Sequence, residues 1–360
     1  QITIQRLDDA YGDTGFSKEH LLVLMEQLNV PTTYTHRGRH FRGEHSLISL
    51  LYLLRKSNAS QDELSRRFGG SSCGYTHVID YMMGLILPWA RKLEHPFAVE
   101  IWSECFQTFT DRIQKVASAN GYDFDRGHFG CVGFIDGSIY ETKTPQATTL
   151  RLAAAGFVPG NGRLESAFYT GHAKLHGMKK QAVVGPNGCF MSVQARQSAN
   201  NNDLGSYNNS GLHESMSELC RDDHDGKNYY FYGDGIYRCI GLRAHVRGPF
   251  KTHGNVHPGQ AHELEDRKAQ NKAMGACRVA VENAFAGLKG QFQHLANWKN
   301  HSLLTNDGYN RFADKVLVAA LLYNLRNLLS GNQISQQFGY TQDQLPTVHE
   351  YLDCLLSIQE

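Results

Sequence analysis

The apolar positions in the N-terminal third of the chain recur at helical spacing. An apolar stripe predicts one helix after Ser17, whose hydroxyl can cap it. Residues 44–86 predict three more helices, and the middle one begins with the capping box Ser60-Gln-Asp-Glu63. Three short helices in this order are typical of a helix-turn-helix, and a purely structural helix hairpin is the alternative.

A longer amphipathic helix is predicted for residues 97–119, after a short linking helix that Pro88 and Pro96 bracket. We expect this longer helix to pack the N-terminal helices onto the rest of the protein. The turn-rich stretch 121–130 follows it. The pattern therefore indicates a helical N-terminal domain over residues 1–125.

Beyond that boundary the apolar runs become short, as in buried strands. The runs 131–135 and 229–232 each lead to an aspartate, Asp136 in the first case and Asp234 in the second. Residues 181–194 predict a hairpin beside the Asp136 strand, with the turn Gly-Pro-Asn-Gly at its centre. Because an acid that ends a strand lies at the edge of the sheet, neighbouring strands can bring the two aspartates together.

Helical spacing returns at residues 276–292, and one face of this predicted helix carries Arg278, Glu282 and Lys289. The alternative for these three residues is a purely structural role, in which i,i+4 ion pairing on the helix stabilises Glu282. A nearly all-round apolar segment at 313–329 predicts a C-terminal helix that is buried against the sheet or in a subunit interface.

Asp136, Asp234 and Glu282 are the candidate catalytic and metal-binding residues. Three converging carboxylates repel one another unless a cation neutralises them. Oxygen ligands with an incomplete coordination shell suit Mg²⁺ or Mn²⁺. Two such ions, roughly 3.5–4 Å apart, can stabilise the attacking and leaving oxygens of a phosphoryl displacement. The pattern therefore predicts a metal-dependent nuclease.

Five segments of the chain resemble, in the same order, those of the PIF/Harbinger-type DDE transposases. This family is related to the Harbinger transposase-derived nucleases and to the bacterial IS5-like enzymes. The segments are Phe134-Ile-Asp-Gly-Ser138 with Pro145 downstream, Tyr169-Thr-Gly-His-Ala-Lys-Leu-His176, Lys180-Gln-Ala-Val-Val-Gly-Pro-Asn-Gly188, Tyr232-Gly-Asp-Gly-Ile-Tyr237, and Arg278-Val-Ala-Val-Glu282 with Leu288-Lys289. The resemblance implies an RNase H-like fold and assigns the three acids of the family to Asp136, Asp234 and Glu282.

The chain also departs from the family pattern. Asp203 matches another recurring family acid and is the alternative second metal ligand. We favour Asp234 because a buried strand leads into it, whereas Asp203 has the sequence context of a helix N-cap. The Ala/Gly-rich piece 153–162 fits the family poorly, and His172 stands where the family usually has a lysine.

The net charge limits how this protein can bind DNA. Thirty-six basic against 35 acidic residues give +1, so any DNA-binding surface must be local. The stretch 31–42 is predicted as a loop that binds phosphates through its arginines, or else as a solvated connector. The candidate DNA-binding residues over the whole chain are Arg37, Arg39, Arg42, Lys174, His176, Lys179, Arg247, Lys251, Arg278 and Lys289.

Residues 238–275 are rich in histidine, arginine and lysine. They predict a basic insertion that grips DNA beside the acids. A zinc site that uses His253, His257 and His262 is the alternative, although no cysteine pair supports it. The eight scattered cysteines favour reduced thiols in a nuclear or cytosolic protein, and the sequence contains no apolar stretch of membrane-spanning length.

The predicted fold is therefore α/β. It has an RNase H-like catalytic domain at 126–300, the helical domain at 1–125, and C-terminal helices at 301–360 that pack on the core. The predicted function is that of a nuclear DDE transposase, which cuts at transposon terminal inverted repeats and joins them to target DNA. A domesticated nuclease or DNA-binding regulator is the alternative, and a scaffold whose acids merely balance nearby cations is a third. The family further implies a homo-oligomer and a Myb-like DNA-binding partner protein.

Overall fold

The computed structural model describes residues 2–125, 129–142, 168–171, 173–220, 228–239, 245–252, 261–296 and 308–358. Pro145, the Ala/Gly-rich piece 153–162, His172, His253 and His257 therefore lie outside the described residues.

The described part of the chain forms a mixed α/β structure. Its strands are β1 Thr33–His36, β2 Arg39–Arg42, β3 Cys131–Glu141, β4 Tyr169–Thr170, β5 Leu175–Val184, β6 Phe190–Ser198, β7 Tyr230–Tyr232 and β8 Val246–Arg247. Its α-helices are α1 Ala10–Thr14, α2 Lys18–Gln27, α3 Gly43–Arg55, α4 Gln61–Phe68, α5 Ser72–Lys92, α6 Phe106–Ala119, α7 Asp203–Asn208, α8 Leu212–Leu219, α9 Ala261–Gln291, α10 Gln293–Ala296, α11 Gly308–Ser330, α12 Gln333–Gln337 and α13 Val348–Ser357. Short 3-10 helices occupy Ile4–Arg6, Pro96–Cys105, Gly235–Cys239 and Gln342–Gln344.

Within the described ranges, six strands form the central sheet, which is mixed. β5 is antiparallel to β3, β4 and β6, and the β5–β6 hairpin confirms the one predicted at 181–194. β7 runs parallel to β3, and β8 runs parallel to β7. In the parallel register Phe134 lies opposite Tyr232. Asp136 and Asp234 therefore each lie two residues beyond the same paired position.

The helix α9 covers this part of the sheet. It packs against β3, β5 and α6, with Val281, Ala284 and Leu288 buried at 1% exposure or less. These residues recur at helical spacing, so their burial on one side leaves Glu282 on the neighbouring face. The predicted helix at 276–292 is confirmed, and it is the second half of a longer one.

The C-terminal helix α11 docks on β6 and α5. Its buried Asn324 accepts a hydrogen bond from Phe190 N (2.8 Å) and donates to Phe190 O (2.8 Å) and to the Tyr351 hydroxyl (2.7 Å). Phe190 is the first residue of β6. The Asn324 side chain therefore pairs with the backbone N–H and C=O of Phe190, which would otherwise need a neighbouring strand. The predicted burial of 313–329 is confirmed.

The N-terminal helices differ from the prediction in two places. α3, α4 and α5 occupy the predicted region, and the Ser60 hydroxyl accepts a hydrogen bond from Glu63 N as an N-cap. The predicted linking helix between Pro88 and Pro96 is wrong, because α5 continues through Pro88 to Lys92. Residues 97–119 likewise divide into a 3-10 helix and α6.

The stretch 31–42 forms the β1–β2 hairpin, so the prediction of a loop is wrong. The turn residues of this hairpin, Arg37 and Gly38, have φ angles of +49° and +73°. Two central residues with positive φ match the twist of paired strands. The Tyr34 ring stacks on Tyr81 of α5 at a centroid distance of 3.6 Å and so anchors the hairpin to the helices.

Two further observations concern the whole of the described chain. No disulfide joins the cysteines whose side chains are described. Within the same ranges, no helix combines the length and the apolar character that crossing a membrane requires.

Candidate active site

Asp136 lies in the middle of β3, where the strand passes from fully buried to half-buried residues, so the prediction that Asp136 ends its strand is wrong. Its Oδ1 accepts a hydrogen bond from Gly137 N (2.8 Å). Burial raises the pKa of this carboxyl. The Gly137 hydrogen bond and the Arg278 guanidinium oppose that rise, whereas the negative charges of Asp203 and Asp234 add to it. The pKa of Asp136 is therefore raised overall, and Arg278 limits the rise.

Arg278 connects two of the candidate acids. Its Nη1 lies 2.8 Å from Asp136 Oδ2, and its Nη2 donates to Glu282 Oε1, one helical turn along α9. The Asp136 and Arg278 side chains are about four-fifths buried, while the Glu282 side chain is half exposed. The planar fork of the guanidinium suits two carboxylates at once. Asp136 and Glu282 therefore share one cation, although 145 residues of sequence separate the strand from the helix position.

Asp234 lies between β7 and the 3-10 helix Gly235–Cys239, and its Oδ1 accepts a hydrogen bond from Ile236 N (2.9 Å). Tyr237 lies in that same turn, and the charges of three aspartates act on its phenol. Burial raises the pKa of the Tyr237 phenol most strongly, and the charges of Asp203, Asp136 and Asp234 raise it further. The structure therefore brings Asp136, Asp203 and Asp234 into one electrostatic neighbourhood.

Asp203 makes a different set of contacts from the other acids. It is the first residue of α7, and the helix N-cap is Asn202, whose side chain accepts from Gly205 N (2.6 Å). The predicted N-cap role of Asp203 is therefore wrong. Lys179 Nζ lies 3.2 Å from Asp203 Oδ1. A Cβ added to Gly137 would lie 2.2 Å from that same oxygen, so the Asp203 carboxylate is pressed against the β3 backbone beside Asp136.

Sequence reasoning missed two residues that contact this neighbourhood. Gln181 Nε2 donates to the Tyr237 hydroxyl (2.8 Å) and to Asp203 O (2.7 Å). Gln181 is fully buried in β5. A glutamine inside a predicted buried strand, together with a tyrosine three residues after Asp234, was the available signal, because a buried amide needs hydrogen-bond partners.

Lys289 lies two helical turns beyond Glu282 on α9. Its Nζ donates to Ser138 Oγ (2.8 Å) and lies 3.2 Å from Ile139 O, both in β3. Burial lowers the pKa of this ammonium group. Lys289 therefore fastens the helix that carries Glu282 to the strand that carries Asp136.

The donor chemistry of this neighbourhood suits a divalent cation, because carboxylate oxygens dominate it and the charges of Asp203 and Asp234 help to raise the pKa of Asp136. In the side-chain arrangement of the described residues, however, no three His, Cys, Asp or Glu side chains form a group that could hold a metal ion. Arg278 stands between Asp136 and Glu282, and Lys179 stands beside Asp203. Positively charged side chains thus occupy the positions next to the acids.

The predicted DNA-binding residues divide by exposure. Arg37, Arg39, Arg42, Lys174 and Lys251 are exposed, and His176 and Arg247 are half-buried. Lys179 is buried against Asp203. The neighbouring Lys180 is fully buried, and its Nζ donates to Ala195 O, so this lysine is not open to a phosphate.

Many of the described residues of the basic stretch 238–275 belong to regular structure. Arg247 lies in β8, and the region after residue 260 is the first half of α9. There Arg267 pairs with Glu263, and Lys268 pairs with Glu265 at 2.7 Å. Part of the predicted positive charge is therefore neutralised along the helix itself.

Comparison with known proteins gave one match. The family model described as "DDE superfamily endonuclease" matches residues 136–324, which is more than half of the chain and begins at Asp136 itself. No curated protein and no solved structure matched.

Proposed function

Because this chain belongs to the DDE superfamily of endonucleases, we propose that it is a transposase of the PIF/Harbinger type, which cuts DNA at transposon ends and joins them to target DNA. The observation that carries this proposal is the arrangement of the three acids. Asp136 and Asp234 each lie two residues beyond the pair that Phe134 and Tyr232 form in two parallel strands, and Arg278 links Asp136 to Glu282 on α9.

The catalytic core of the proposed enzyme is RNase H-like. The strand order β6-β5-β3-β7-β8 supports this, since the first three strands are antiparallel neighbours and the last two are parallel to β3. The helix α9 on one face of the sheet brings the third acid to the strand that carries the first. We propose in the same way that α3, α4 and α5 form a helix-turn-helix-like unit.

Enzymes of this superfamily generally use divalent metals, and we propose that Asp136, Asp234 and Glu282 would hold Mg²⁺ or Mn²⁺, as two ions. Asp203 is the alternative to Asp234. When bound, such ions would activate a water for attack and neutralise charge on the phosphate. The same carboxylates would serve both cutting and joining, because both reactions are in-line displacements at phosphorus.

The protein groups have separate tasks in this proposal. Arg278 holds the Asp136 and Glu282 carboxylates beside each other and lowers their mutual repulsion. Lys289 fixes the position of α9 on β3 through Ser138 and Ile139. Arg278 also lies between two of the acids, where a DNA phosphate would have to approach.

The remaining DNA contacts come from the exposed cations of the β1–β2 hairpin and from Lys174 and Lys251. The helix α5 contributes little positive charge, since its N-terminal half offers His77 as its basic residue and carries Asp80. Arg37 itself lies 3.9 Å from Asp80. This weak recognition surface favours our proposal of a Myb-like partner that helps to bind the ends, and we propose that the enzyme acts in the nucleus as a homo-oligomer.

The test is nicking and strand transfer on DNA that carries candidate terminal repeats, with Mg²⁺ or Mn²⁺ added. We expect Asp136→Asn, Asp234→Asn and Glu282→Gln to abolish both reactions while the variants stay folded. Asp203→Asn decides between the two candidate second acids, because it removes charge and keeps the shape. If the wild type and Asp136→Asn nick DNA equally, the proposed enzymatic function is refuted. The interpretation of the protein as a scaffold then remains. Nicking without strand transfer would favour the domesticated nuclease.

A further inference from the structure

A cleft of about 320 Å³ lies between the edge of the central sheet and the first half of α9. Six aromatic side chains line it: Tyr122, Phe124, Phe129, Tyr230, Tyr232 and Phe250. Its volume is at the lower end of the range for small-molecule sites, about 300–1,000 Å³, so it suits one compact ring system better than an extended chain.

The inner wall of the cleft is rigid. Tyr122 and Phe124 lie edge to face, Phe124 and Phe129 are tilted, and both pairs have centroids 4.7 Å apart. Phe129 packs edge to face on Tyr230 at 6.3 Å. Phe129, Tyr230 and Tyr232 are less than 8% exposed. A chain of rings that hold one another in place leaves a preformed apolar surface.

The outer rim is an exposed aromatic ring that the structure fixes in position. Phe250 is 48% exposed, which is unusual for so large an apolar side chain. Asn271 of α9 accepts from Phe250 N (2.8 Å) and donates to Phe250 O (2.9 Å). These two hydrogen bonds hold the backbone at residue 250, so the ring remains beside the cleft.

Polar groups in the cleft are suited to a nucleotide. The Arg247 guanidinium lies 3.8 Å from the Tyr230 ring centroid, where it offers a positive charge next to an aromatic face. Gln270 Nε2 donates to the Tyr122 hydroxyl and to Asp266 Oδ2, so its amide is oriented. Within the described ranges, Gln270 Oε1 accepts no hydrogen bond and is available to an amino group of a base.

The cleft adjoins the candidate active site. Gly248, next to Arg247, approaches the backbone of Asp234 so closely that an added Cβ would lie 2.4 Å from Asp234 O. On α9, Met274 lines the cleft one turn before Arg278, which corresponds to roughly 6 Å along the helix axis. A nucleotide whose phosphate lies near Arg278 could therefore place a neighbouring base in the cleft.

From this geometry we infer that the cleft receives one unstacked nucleobase of the DNA strand that the acids act on, with Phe250 and the inner rings as its stacking surfaces. This inference rests on the proposed function. Stacking on aromatic side chains tolerates any base, while the Gln270 carbonyl favours a base that carries an amino group. The cleft would thus hold the strand beside the reacting phosphate without reading a long sequence.

The test uses a short duplex with one 2-aminopurine opposite an abasic position, and the same duplex with 2-aminopurine fully paired. We expect the wild type to quench the unpaired fluorophore by stacking and to prefer that duplex. Phe250→Ala should reduce the preference about 5- to 150-fold, and Phe250→Trp should retain it. Leu22→Ala, which truncates a similarly exposed side chain on α2, is the control and should behave like the wild type.

The outcomes separate this inference from the proposed function. An unchanged preference in Phe250→Ala, or no preference in the wild type, overturns the base-binding cleft even if metal-dependent nicking is intact. Phe250-dependent quenching without any nicking by the wild type would keep the cleft and refute the enzyme. Phe250→Ala should fold, because the ring is half exposed and the backbone bonds to Asn271 remain.

Discussion

Arg278 Nη1 lies 2.8 Å from Asp136 Oδ2, and this contact ties the middle of α9 to β3 across 142 residues of sequence. Both side chains are less than a quarter exposed. The same guanidinium also pairs with Glu282. One side chain thus determines how the helical acid is placed relative to the strand acid.

We expect Arg278→Gln to lower the free energy of unfolding by about 1–3 kcal/mol, because it leaves a mostly buried carboxylate without its charged partner. Nicking should fall as well, since Glu282 loses its link to Asp136. Chemical denaturation and the nicking assay measure the two effects. Arg267→Gln is the matched control on the same helix, because it breaks the exposed pair with Glu263 and should change stability by less than about 1 kcal/mol. Equal effects of the two substitutions would contradict the bridging role.

Gly137→Ala tests the close approach of Asp203 to β3. The new methyl group would lie 2.2 Å from Asp203 Oδ1, so the carboxylate must move, and stability should fall by about 1–3 kcal/mol. Adding Asp203→Ala should recover part of this loss, which a double-mutant cycle measures. Strictly additive effects would show that the two positions do not touch.

Gly84→Ala is the control for that experiment. Gly84 lies inside α5, and a Cβ there meets nothing within 4 Å. Alanine lowers the backbone entropy of the unfolded chain, so this variant should gain about 0.5–1 kcal/mol and nick DNA like the wild type.

Asn324→Leu tests the docking of the C-terminal helix on the sheet. It removes three hydrogen bonds and leaves both backbone groups of Phe190 unpaired in the core, so we expect a loss of about 3 kcal/mol in thermal or chemical unfolding. Gln336→Leu, at an exposed position of α12, should have little effect. A loss below about 1 kcal/mol for Asn324→Leu would mean that α11 is held by apolar packing alone.

The titration of His45 should make the stability of the protein depend on pH. Its side chain is 6% exposed, and burial lowers its pKa from about 6.5 to about 4. Since the folded chain binds this proton less readily than the unfolded chain, stability is full above about pH 6.5 and falls as the pH decreases towards about 4. The loss between about pH 7 and pH 5 should be at most about 2 kcal/mol.

His45→Gln should flatten that part of the stability profile, because glutamine does not titrate and can still accept the hydrogen bond that Ile2 N donates to His45 Nδ1 (3.2 Å). Denaturant unfolding at several pH values measures the slope. His349→Gln, at a residue with a 70% exposed side chain, is the control and should leave the slope unchanged. An identical slope in His45→Gln and the wild type would mean that another group controls the acid response.

The local patterns predicted some elements correctly and failed at others for physical reasons. The β5–β6 hairpin and the helix with Glu282 were predictable because their apolar spacing is regular over many residues. The β1–β2 hairpin was missed because both of its strands are largely exposed and therefore lack apolar alternation. The predicted break at Pro88 failed because packing of α5 on α3 and α11 outweighs the lost hydrogen bond.

The order of residues by itself determined that two apolar runs lead to Asp136 and Asp234 and that Glu282 lies on one face of a helix, because such preferences act between near neighbours in the chain. Only the tertiary structure decided that β7 pairs in parallel with β3, that Arg278 rather than another cation joins Asp136 to Glu282, and that Lys179 and Lys180 are buried. These relationships arise between residues that are far apart in sequence. Strand register and helix docking determine which charged side chains meet there, and local sequence patterns do not.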